Sequence, residues 1–468
     1  MTLIAALTDL LGERYVVTDP AAFAGHLEEE RGLYVGTSPA LVKPENTQQV
    51  SDIVKLCGQF KTPFVAHGGN TGLVGGGVPK DAVVISLERL NHIENVDAMN
   101  LTMTVEAGAI LAHVQTAAVE AGAYFPLSLG AEGSCQIGGN LSTNAGGVHV
   151  LRYGNAGELV LGLEVVLPDG QIWNGLKSLR KDNTGYDLKA LFLGAEGTLG
   201  IITRAVLRLY AQPKTKAVAL IGCATFNDAL KTFHSARAQA SDVLNACEVF
   251  SGFALSLAEK HIEGAKSPIE GQHDVYMLLE LASADANADL NDLMETALTE
   301  AFEAEWVQDA VIAQSGPQID AIWALREAIP EAQKSEGGSI KHDVSVPVSS
   351  VPLFIERATS LVVGLISGVR VCAFGHLGDG NIHFNLTQPE NMDKQNFLDH
   401  WTKTNQAVHD LVSQMHGSFS AEHGVGQLKT SEMKRLKDPV ELDLMHKIKA
   451  SLDPENLANP GKVLPPQD

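Results

Sequence analysis

Residues 130–147 read GAEGSCQIGGNLSTNAGG and contain six glycines in eighteen positions. Glycine has no Cβ, so it adopts positive φ angles and allows the backbone to approach another group closely. Few folds need this density of glycine unless the backbone lies flat against a bound molecule. The stretch therefore predicts a binding segment for an extended ligand.

Two further glycine-rich segments lie on either side of it. Residues 67–72, HGGNTG, follow the apolar run FVA, and residues 194–200, GAEGTLG, precede an apolar run that begins at Ile201. Successive backbone N–H groups that point inward bind anions, and a diphosphate is a natural guest for them. A strand followed by a glycine-rich turn is the alternative for each segment alone. None of the three has the G-x-G-x-x-G spacing of a Rossmann unit, which disfavours a nicotinamide-binding domain of that type.

Apolar runs between the glycine segments predict short strands, and amphipathic patterns predict helices. The strand-like runs are residues 63–66, 82–86, 102–106, 159–167 and 201–210. Residues 2–12 and 46–61 have helical periodicity, and Asn46 is a suitable N-cap. These patterns together indicate the α+β class.

A change of composition after Pro213 indicates a second domain. We expect domain 1 to contain residues 1–212 and domain 2 to contain residues 213–419, with an antiparallel sheet and helices on one of its faces. Residues 420–468 are rich in glycine at their start, and we expect them to return to the first domain. A chain of 468 residues fits two or three domains.

The composition excludes several function classes. The net charge of −22 argues against nonspecific nucleic-acid binding, which needs a basic surface. The five cysteines occur singly, without a C-x-x-C pair, so no iron–sulfur cluster or cysteine zinc site is indicated. The N-terminal residues lack the basic region of a secretory signal, and no run of 18 apolar residues is found. A cytoplasmic protein without a membrane span is therefore expected.

Residues 371–386, VCAFGHLGDGNIHFNL, carry a strong chemical signal. Asp379-Gly380 between apolar residues predicts a two-residue β-hairpin turn. That register would place His376 opposite His383, with Cβ atoms roughly 5 Å apart on one face. Two imidazoles so placed can bind a divalent metal. A histidine pair on a solvated face is the alternative.

A second signal lies at residues 420–426, SAEHGVG, where Glu422 and His423 stand beside glycines. One carboxylate and two histidines would form a three-ligand metal site with an open position, which is the pattern of catalytic sites. Read alone, a Glu-His dipeptide has no function.

The order of the three glycine segments resembles the FAD-binding domain of the vanillyl-alcohol oxidase/p-cresol methylhydroxylase family, from about Pro39 to Leu209. The resemblance implies that the first segment holds the FAD diphosphate and that the second follows the flavin and ribityl chain. The residues implied to bind FAD are Gly68, Gly69, Asn70, Thr71, Gly72, Ser134, Gly138, Gly139, Thr143, Asn144, Gly147, Gly154, Glu196, Ile201 and Asn459. Some members attach FAD to a histidine at the position of Asn70. An amide cannot serve as that nucleophile, so noncovalent FAD is implied.

Residues 371–386 and 420–426 closely resemble the C-terminal domain of D-2-hydroxyglutarate and D-lactate dehydrogenases and of the glycolate oxidase flavoprotein subunit. With Asn459-Pro460-Gly461-Lys462, the resemblance covers nearly the whole chain. It implies that the metal ligands are His376, His383 and Glu422. It also implies that His423 is the catalytic base.

Substrate-binding residues are implied by the same resemblance. Arg326 and Lys341 correspond to residues that hold carboxylates in hydroxyglutarate enzymes, and Asn385 matches a further polar contact. Arginine suits bidentate carboxylate binding, and lysine offers a point charge. Pro330 stands where hydroxyglutarate enzymes can present a hydroxyl, and this departure puts specificity for hydroxyglutarate in doubt.

The sequence thus predicts FAD-dependent, metal-assisted oxidation of a D-2-hydroxy acid, such as D-2-hydroxyglutarate or D-lactate, to the 2-keto acid. The metal is expected to be zinc, with manganese as the second choice, and the electron acceptor an electron-transfer flavoprotein or a quinone. The alternatives are an oxidase that uses oxygen, a reductase of the cell-wall-precursor type, and a noncatalytic flavoprotein subunit. A homodimer is one option for the oligomeric state.

Overall fold

The computed structural model describes residues 1–466. The chain forms two compact units, each described by itself below. Unit 1 contains Met1–Gly147, Tyr153–Gln212 and the C-terminal segment that begins at Glu422. Unit 2 contains Val148–Arg152 and Pro213–Ala421. The sequence-based boundaries placed residues 148–152 in the first domain, whereas in the structure they belong to unit 2.

The strands and helices are numbered in chain order. The strands are β1 Val16–Val17, β2 Leu41–Val42, β3 Phe64–His67, β4 Val83–Ser86, β5 Ile93–Asp97, β6 Thr102–Glu106, β7 Ala123–Tyr124, β8 Val160–Val166, β9 Ile172–Gly175, β10 Ile201–Arg208, β11 Tyr210–Ala211, β12 Thr215–Cys223, β13 Leu244–Ser251, β14 Val275–Ser283, β15 Asp309–Ile312, β16 Ser339–Ile340, β17 Asp343–Ser345, β18 Arg370–His376 and β19 Asn381–Thr387. The α-helices are α1 Leu3–Leu11, α2 Thr47–Gln59, α3 Leu111–Glu120, α4 Ile137–Ser142, α5 Val150–Tyr153, α6 Phe226–Ala240, α7 Gly252–His261, α8 Leu290–Glu303, α9 Gly316–Lys334, α10 Val351–Leu365, α11 Lys394–Leu398, α12 Trp401–Gln414, α13 Thr430–Leu436 and α14 Pro439–Leu452.

Unit 1 is built on two main sheets. The first has the strand order β1-β2-β4-β3, in which β2 and β3 run parallel to β4. The second is antiparallel, in the order β5-β6-β10-β8-β9. Helix α2 covers the first sheet because its apolar residues recur at helical spacing, and Val50, Ile53 and Val54 are fully buried. The Asn46 side chain caps this helix by accepting a hydrogen bond from the Gln49 N–H at 2.9 Å.

Unit 2 is built on one eight-stranded sheet in the order β15-β12-β14-β13-β18-β19-β16, with β17 also paired to β19. The strand pairs in this sheet are antiparallel, as the sequence predicts. Strand β12 shows why the sheet is buried on both faces. Its alternate residues enter two different cores, with Ala219 and Ile221 in one and Val218 and Leu220 in the other.

The prediction that helices cover one face of this sheet is wrong. Residues of α6, α8, α10 and α12 pack against the face that carries Ile221, while α7 and α9 pack against the face that carries Leu220. Successive side chains of a strand point to opposite faces of the sheet. When both sets are apolar, both faces are stabilised by packing against helices, because burial removes apolar surface from water. The uninterrupted apolar run in β12 was the signal for this arrangement.

One helical stretch among residues 1–466, Val348–Leu365, is long and apolar enough to cross a membrane by length and composition alone. A core helix of a folded domain passes the same test. Here Phe354, Ala358 and Val362 on α10 are buried in the core of unit 2.

Candidate active site

A cavity of about 600 Å³ lies in unit 1, at the edge formed by the three glycine segments. Its size is in the usual range for cofactor sites. Its walls come from residues 66–77, 129–146 and 196–202, together with Glu422, His423 and Asn459. The segments that the sequence singled out, which begin at residues 67, 130 and 194, therefore line one space.

Two glycines show why this residue is needed around the cavity. A Cβ on Gly69 would lie 2.2 Å from the Ser134 carbonyl oxygen, so the first and second glycine segments could not approach each other with any larger residue. At Gly139 a Cβ would meet no protein atom within 4 Å and would occupy the cavity itself. The glycines thus pack two loops together and leave the backbone accessible to a guest.

A buried acceptor also faces this space. Gln136 lines the cavity, and its Oε1 atom is buried without a hydrogen-bond partner among residues 1–466. An unsatisfied buried acceptor costs about 1–3 kcal/mol, so a bound molecule that donates to it would be stabilised. The residues present therefore fit a large polar cofactor such as FAD. Gln136 lies inside the glycine-rich segment 130–147, where no sequence pattern distinguished it from its neighbours.

Most residues implied to bind FAD line the cavity. They are Gly68, Gly69, Asn70, Thr71, Gly72, Ser134, Gly138, Gly139, Thr143, Glu196, Ile201 and Asn459. Asn70 adopts a positive φ of 52°, and its amide donates to the carbonyl oxygens of Gly25 and Glu28, both at 2.9 Å. This side chain therefore fixes the turn of the first glycine segment to the N-terminal region.

Asn144, Gly147 and Gly154 lie outside the cavity lining, and the structure gives each a backbone role instead. Asn144 accepts a hydrogen bond from the Gly157 N–H at 2.9 Å. Gly147 and Gly154 adopt positive φ angles of 132° and 78°, which favour glycine. These residues shape the turns behind the cavity wall.

Glu196 holds the C-terminal segment of unit 1 to the cavity wall. Its two carboxylate oxygens accept hydrogen bonds from the Val425 N–H at 2.6 Å and the Gly426 N–H at 2.8 Å. Burial raises the pKa of Glu196, although these two N–H groups oppose the shift. The Asn459 amide donates to the Glu196 carbonyl oxygen at 2.8 Å and to the Gly76 carbonyl oxygen at 2.9 Å.

The same segment brings Glu422 and His423 into the cavity lining. The His423 Nε2 atom lies 3.7 Å from the Glu422 Oε1 atom, and the two side chains are 24% and 20% exposed. The residue implied to be the base therefore lines the cavity that the glycine segments form. A partly exposed imidazole of this kind is accessible to a substrate.

In unit 2, β18 and β19 form the expected hairpin, but the predicted register is wrong. His376 pairs with Asn381, and His383 pairs with Phe374. The loop has four residues because Gly380 donates its N–H to the His376 carbonyl at 3.1 Å and the Asp379 carboxylate accepts from the Asn381 N–H at 3.0 Å. A shift of two positions along one strand keeps both histidines on one face of the sheet.

The two imidazoles are close in this register, with ring centroids 5.7 Å apart. The His376 Nδ1–H donates to the Glu248 Oε1 atom at 2.7 Å, which fixes the tautomer and leaves Nε2 as the basic nitrogen. The His383 Nδ1 atom lies 3.8 Å from the Asp343 Oδ1 atom. Metal-binding histidines usually donate their second nitrogen to a carboxylate, as His376 does, so this pair fits a divalent metal.

The sequence patterns did not predict a site role for Glu248. Besides His376, this carboxylate also binds Arg326. The Arg326 Nε and Nη2 atoms donate to the Glu248 Oε2 atom, both at 2.8 Å. Burial alone would raise the pKa of Glu248, but His376 and Arg326 outweigh it and hold that pKa below its ordinary value. The available signal was a glutamate in the middle of a buried strand pattern, residues 244–251.

The three residues implied to bind substrate are gathered in unit 2. Asn385 pairs across the hairpin with Cys372, and the positive charges of Lys341 and Arg326 both act on the Cys372 thiol. Burial nevertheless raises the pKa of this thiol to about 12. The Asn385 amide donates to the Gln333 Oε1 atom at 3.0 Å. Lys341 and Arg326 therefore lie within electrostatic range of Cys372, which is opposite Asn385 on the sheet that carries the histidine pair.

The comparisons with known proteins agree with these two units. Residues 38–175 match the family model described as FAD binding domain, and residues 212–463 match the model described as FAD linked oxidases, C-terminal domain. A solved structure of p-cresol methylhydroxylase has a TM-score of 0.76 at 18% identity and covers 98% of this chain and 96% of that one. This likeness confirms the α+β class and the expected type of FAD-binding fold.

Two relatives are similar over nearly the whole chain. D-2-hydroxyglutarate dehydrogenase of Arabidopsis thaliana is 38% identical over 99% of this chain and 81% of that protein. A Schizosaccharomyces pombe protein, provisionally named a D-lactate dehydrogenase, is 37% identical over 96% of this chain and 86% of that protein. Both are named as mitochondrial, so the prediction of a cytoplasmic protein is wrong. The chain therefore belongs to the FAD-linked oxidase family that includes these two dehydrogenases, and it is an FAD-dependent oxidoreductase.

Proposed function

We propose that this protein oxidises a D-2-hydroxy acid to the corresponding 2-keto acid with the help of a divalent metal. The observation that carries the proposal is the polar group of unit 2, in which Arg326 of α9 packs against the sheet face that carries the His376–His383 pair. Carboxylate anchoring and metal binding are the two functions that a 2-hydroxy acid requires.

The glycine segments of unit 1 would hold FAD, and bound FAD would supply two-electron redox chemistry for the hydride that leaves the substrate C2. His376, His383 and Glu422 would hold the metal, whose charge would make the 2-hydroxyl more acidic. The nitrogen and oxygen donors suit zinc first and manganese second.

His423 is the proposed base. Its imidazole lines the cavity and is about one-quarter exposed, so it can meet the substrate hydroxyl there. The neutral form of an imidazole is a common general base in enzymes and can take the hydroxyl proton. In this role His423 removes the proton as the C2 hydride departs.

Arg326 and Lys341 are the proposed carboxylate anchors. Because Nε and Nη2 of Arg326 are bound to Glu248, the Nη1 atom is the part of the guanidinium that can approach a substrate. Lys341 adds a mobile point charge, and Asn385 supplies a neutral polar contact. Arginine and lysine together suit a substrate with one or two carboxylates.

The proposal includes two classes of substrate, a dicarboxylate such as D-2-hydroxyglutarate and a shorter monocarboxylate such as D-lactate. The relatives named for D-2-hydroxyglutarate support a dicarboxylate. Pro330 lies inside α9, one turn after Arg326, where it offers no hydrogen-bond donor to a distal carboxylate. D-2-Hydroxyglutarate and D-lactate are therefore the first two candidates.

An anaerobic screen tests the proposal. The FAD-loaded protein would be mixed separately with the D and L forms of lactate, malate and 2-hydroxyglutarate, and with glycolate. We expect one or more D enantiomers to bleach the oxidised-flavin absorbance, and their L forms to leave it unchanged. Bleaching by NADPH with no response to any hydroxy acid would contradict the proposal and indicate a reductase.

The electrons are proposed to leave to a separate carrier, an electron-transfer flavoprotein or a quinone. The five cysteines occur singly in the sequence, without the C-x-x-C pair typical of an iron–sulfur cluster, which supports a separate carrier. Steady-state turnover would be compared with an artificial dye acceptor and with oxygen alone. We expect turnover with the dye to exceed turnover with oxygen, and equal rates would indicate an oxidase.

A further inference from the structure

Glu248 is the buried charged residue of unit 2 whose contacts most need a functional explanation. Its side chain is 0% exposed, on β13 in the middle of the eight-stranded sheet. A buried carboxylate is costly unless it is paired and hydrogen bonded. Glu248 meets that requirement through three hydrogen-bond donors, which come from only two residues, His376 and Arg326.

The position of Glu248 relative to His376 is set by the backbone. The two residues are directly opposed in the β13–β18 strand pair, so their side chains stand side by side on one face. Arg326 approaches the same carboxylate from α9 on that face, and its guanidinium also lies 4.9 Å from the centre of the Phe374 ring. The two carboxylate oxygens therefore bind different partners: Oε1 accepts from His376 and Oε2 accepts from Arg326.

We propose that Glu248 is a positioning residue that presents the His376 Nε2 atom to the metal and the Arg326 Nη1 atom to the substrate carboxylate. This inference rests on the proposed function. A carboxylate on the second nitrogen of a histidine ligand fixes the ring and raises its basicity, and its loss usually weakens metal binding 10- to 100-fold. Through Arg326, the same residue couples the orientation of the metal ligand to that of the substrate anchor.

The neighbouring strand provides a matched control. Glu280 on β14 is as buried as Glu248, but it accepts hydrogen bonds from the Trp323 Nε1 atom at 2.9 Å and the Asn245 Nδ2 atom at 2.5 Å. His149 and Lys216 also lie 3.7 Å and 3.8 Å from its Oε1 atom, and none of these four residues is a proposed ligand or anchor. A Glu280→Gln variant therefore imposes a similar change on the same sheet without touching His376 or Arg326.

The test measures binding of Zn²⁺ alone to the metal-stripped, FAD-loaded protein, by competition with a chromophoric chelator. We expect Glu248→Gln to bind zinc 10- to 100-fold more weakly than the wild type and to raise KM for the substrate. Its FAD content should be unchanged, because the cavity that holds FAD lies in unit 1. We expect Glu280→Gln to remain within threefold of the wild type in zinc affinity and KM.

A second pair of variants keeps the test valid if Glu248→Gln does not fold. Replacing both charges of a buried pair with apolar groups is often tolerated. We expect Glu248→Met/Arg326→Met to lose zinc affinity at least tenfold, and Arg326→Met alone to retain it while KM rises. Wild-type zinc affinity in the variants that lack Glu248, or an equal loss in Glu280→Gln, would overturn the inference. If the wild type itself binds no zinc, the metal part of the proposed function fails instead.

Discussion

His423 is the residue on which proton transfer depends in this account. Replacing it with asparagine keeps a polar side chain in the cavity wall but removes the base. Since a positioned general base contributes about 10²- to 10⁴-fold, we expect His423→Asn to lower kcat by at least about 100-fold. Flavin reduction followed by stopped-flow absorbance measures the effect. A folded, FAD-loaded variant that reduces flavin at the wild-type rate would contradict the role.

His67 makes the stability of unit 1 depend on pH. Its Nε2–H donates to the Gly77 carbonyl, and burial is the main cause that lowers its pKa from 6.5 to about 4. The unfolded chain therefore binds a proton more readily between these pH values, and stability is lost as pH falls from 6.5 towards 4. A shift of this size corresponds to roughly 3 kcal/mol.

Denaturant unfolding at several pH values, with His67→Gln as the comparison, tests this linkage. We expect the wild type to lose about 3 kcal/mol more than the variant between pH 6.5 and pH 4, consistent with the shifted pKa. Parallel curves for the two proteins would show that His67 does not titrate as described.

Glu196 acts at the scale of an element, because its two hydrogen bonds hold the backbone of the segment that carries Glu422 and His423. In Glu196→Gln, the side-chain NH₂ group would face a backbone N–H and leave a buried donor unsatisfied. Such a loss costs about 1–3 kcal/mol, so we expect kcat to fall about tenfold with most of the FAD retained. Glu132→Gln, in the same unit, is the control. Unchanged kcat in Glu196→Gln would show that the segment is held by other contacts.

The β18–β19 hairpin shows what sequence patterns predict at the scale of an element. The Asp379-Gly380 signal located the hairpin, but the two-residue turn and the pairing of His376 with His383 were wrong. Hydrogen bonds within the four-residue loop set the strand register. The Asp379-Gly380 dipeptide alone does not predict these hydrogen bonds. The histidines still share a face because the error was an even number of positions.

Sequence patterns also could not predict contacts between residues that are far apart in the chain, because such patterns describe only local segments. Glu248 and His376 are 128 residues apart, and Glu196 and Gly426 are 230 residues apart. Periodicity locates elements, and motifs locate chemistry, but neither states which strands become neighbours. Resemblance to a family implied ligands and anchors, whereas their buried carboxylate partner Glu248 was visible only in the folded structure.

At the scale of the whole molecule, the sequence predicted the α+β class and the FAD-binding fold correctly. The covering of the unit 2 sheet was predicted wrongly, because the uninterrupted apolar run in β12 was not recognised as burial of both faces. The cytoplasmic prediction was wrong because it relied on missing targeting signals, and an absent pattern carries little information about compartment.

The net charge of −22 gives a prediction for the entire protein. A strongly negative molecule repels an anionic substrate, and Arg326 offsets this little because its charge is balanced by Glu248. Salt screens the repulsion, as the Debye length falls from about 30 Å at 0.01 M to about 8 Å at 0.15 M. We expect kcat/KM for a 2-hydroxy acid to rise severalfold over this range. A steady fall with added sodium chloride would show that local cations dominate the field.

The central claim, metal-assisted oxidation of a D-2-hydroxy acid by bound FAD, is tested most directly by one anaerobic experiment. The FAD-loaded protein is stripped of metal with a chelator, mixed with the D enantiomer that bleaches the flavin, and then given Zn²⁺. We expect stripping to abolish flavin bleaching and zinc to restore it, with no response to the L enantiomer. Bleaching at the same rate in the stripped protein would contradict the claim.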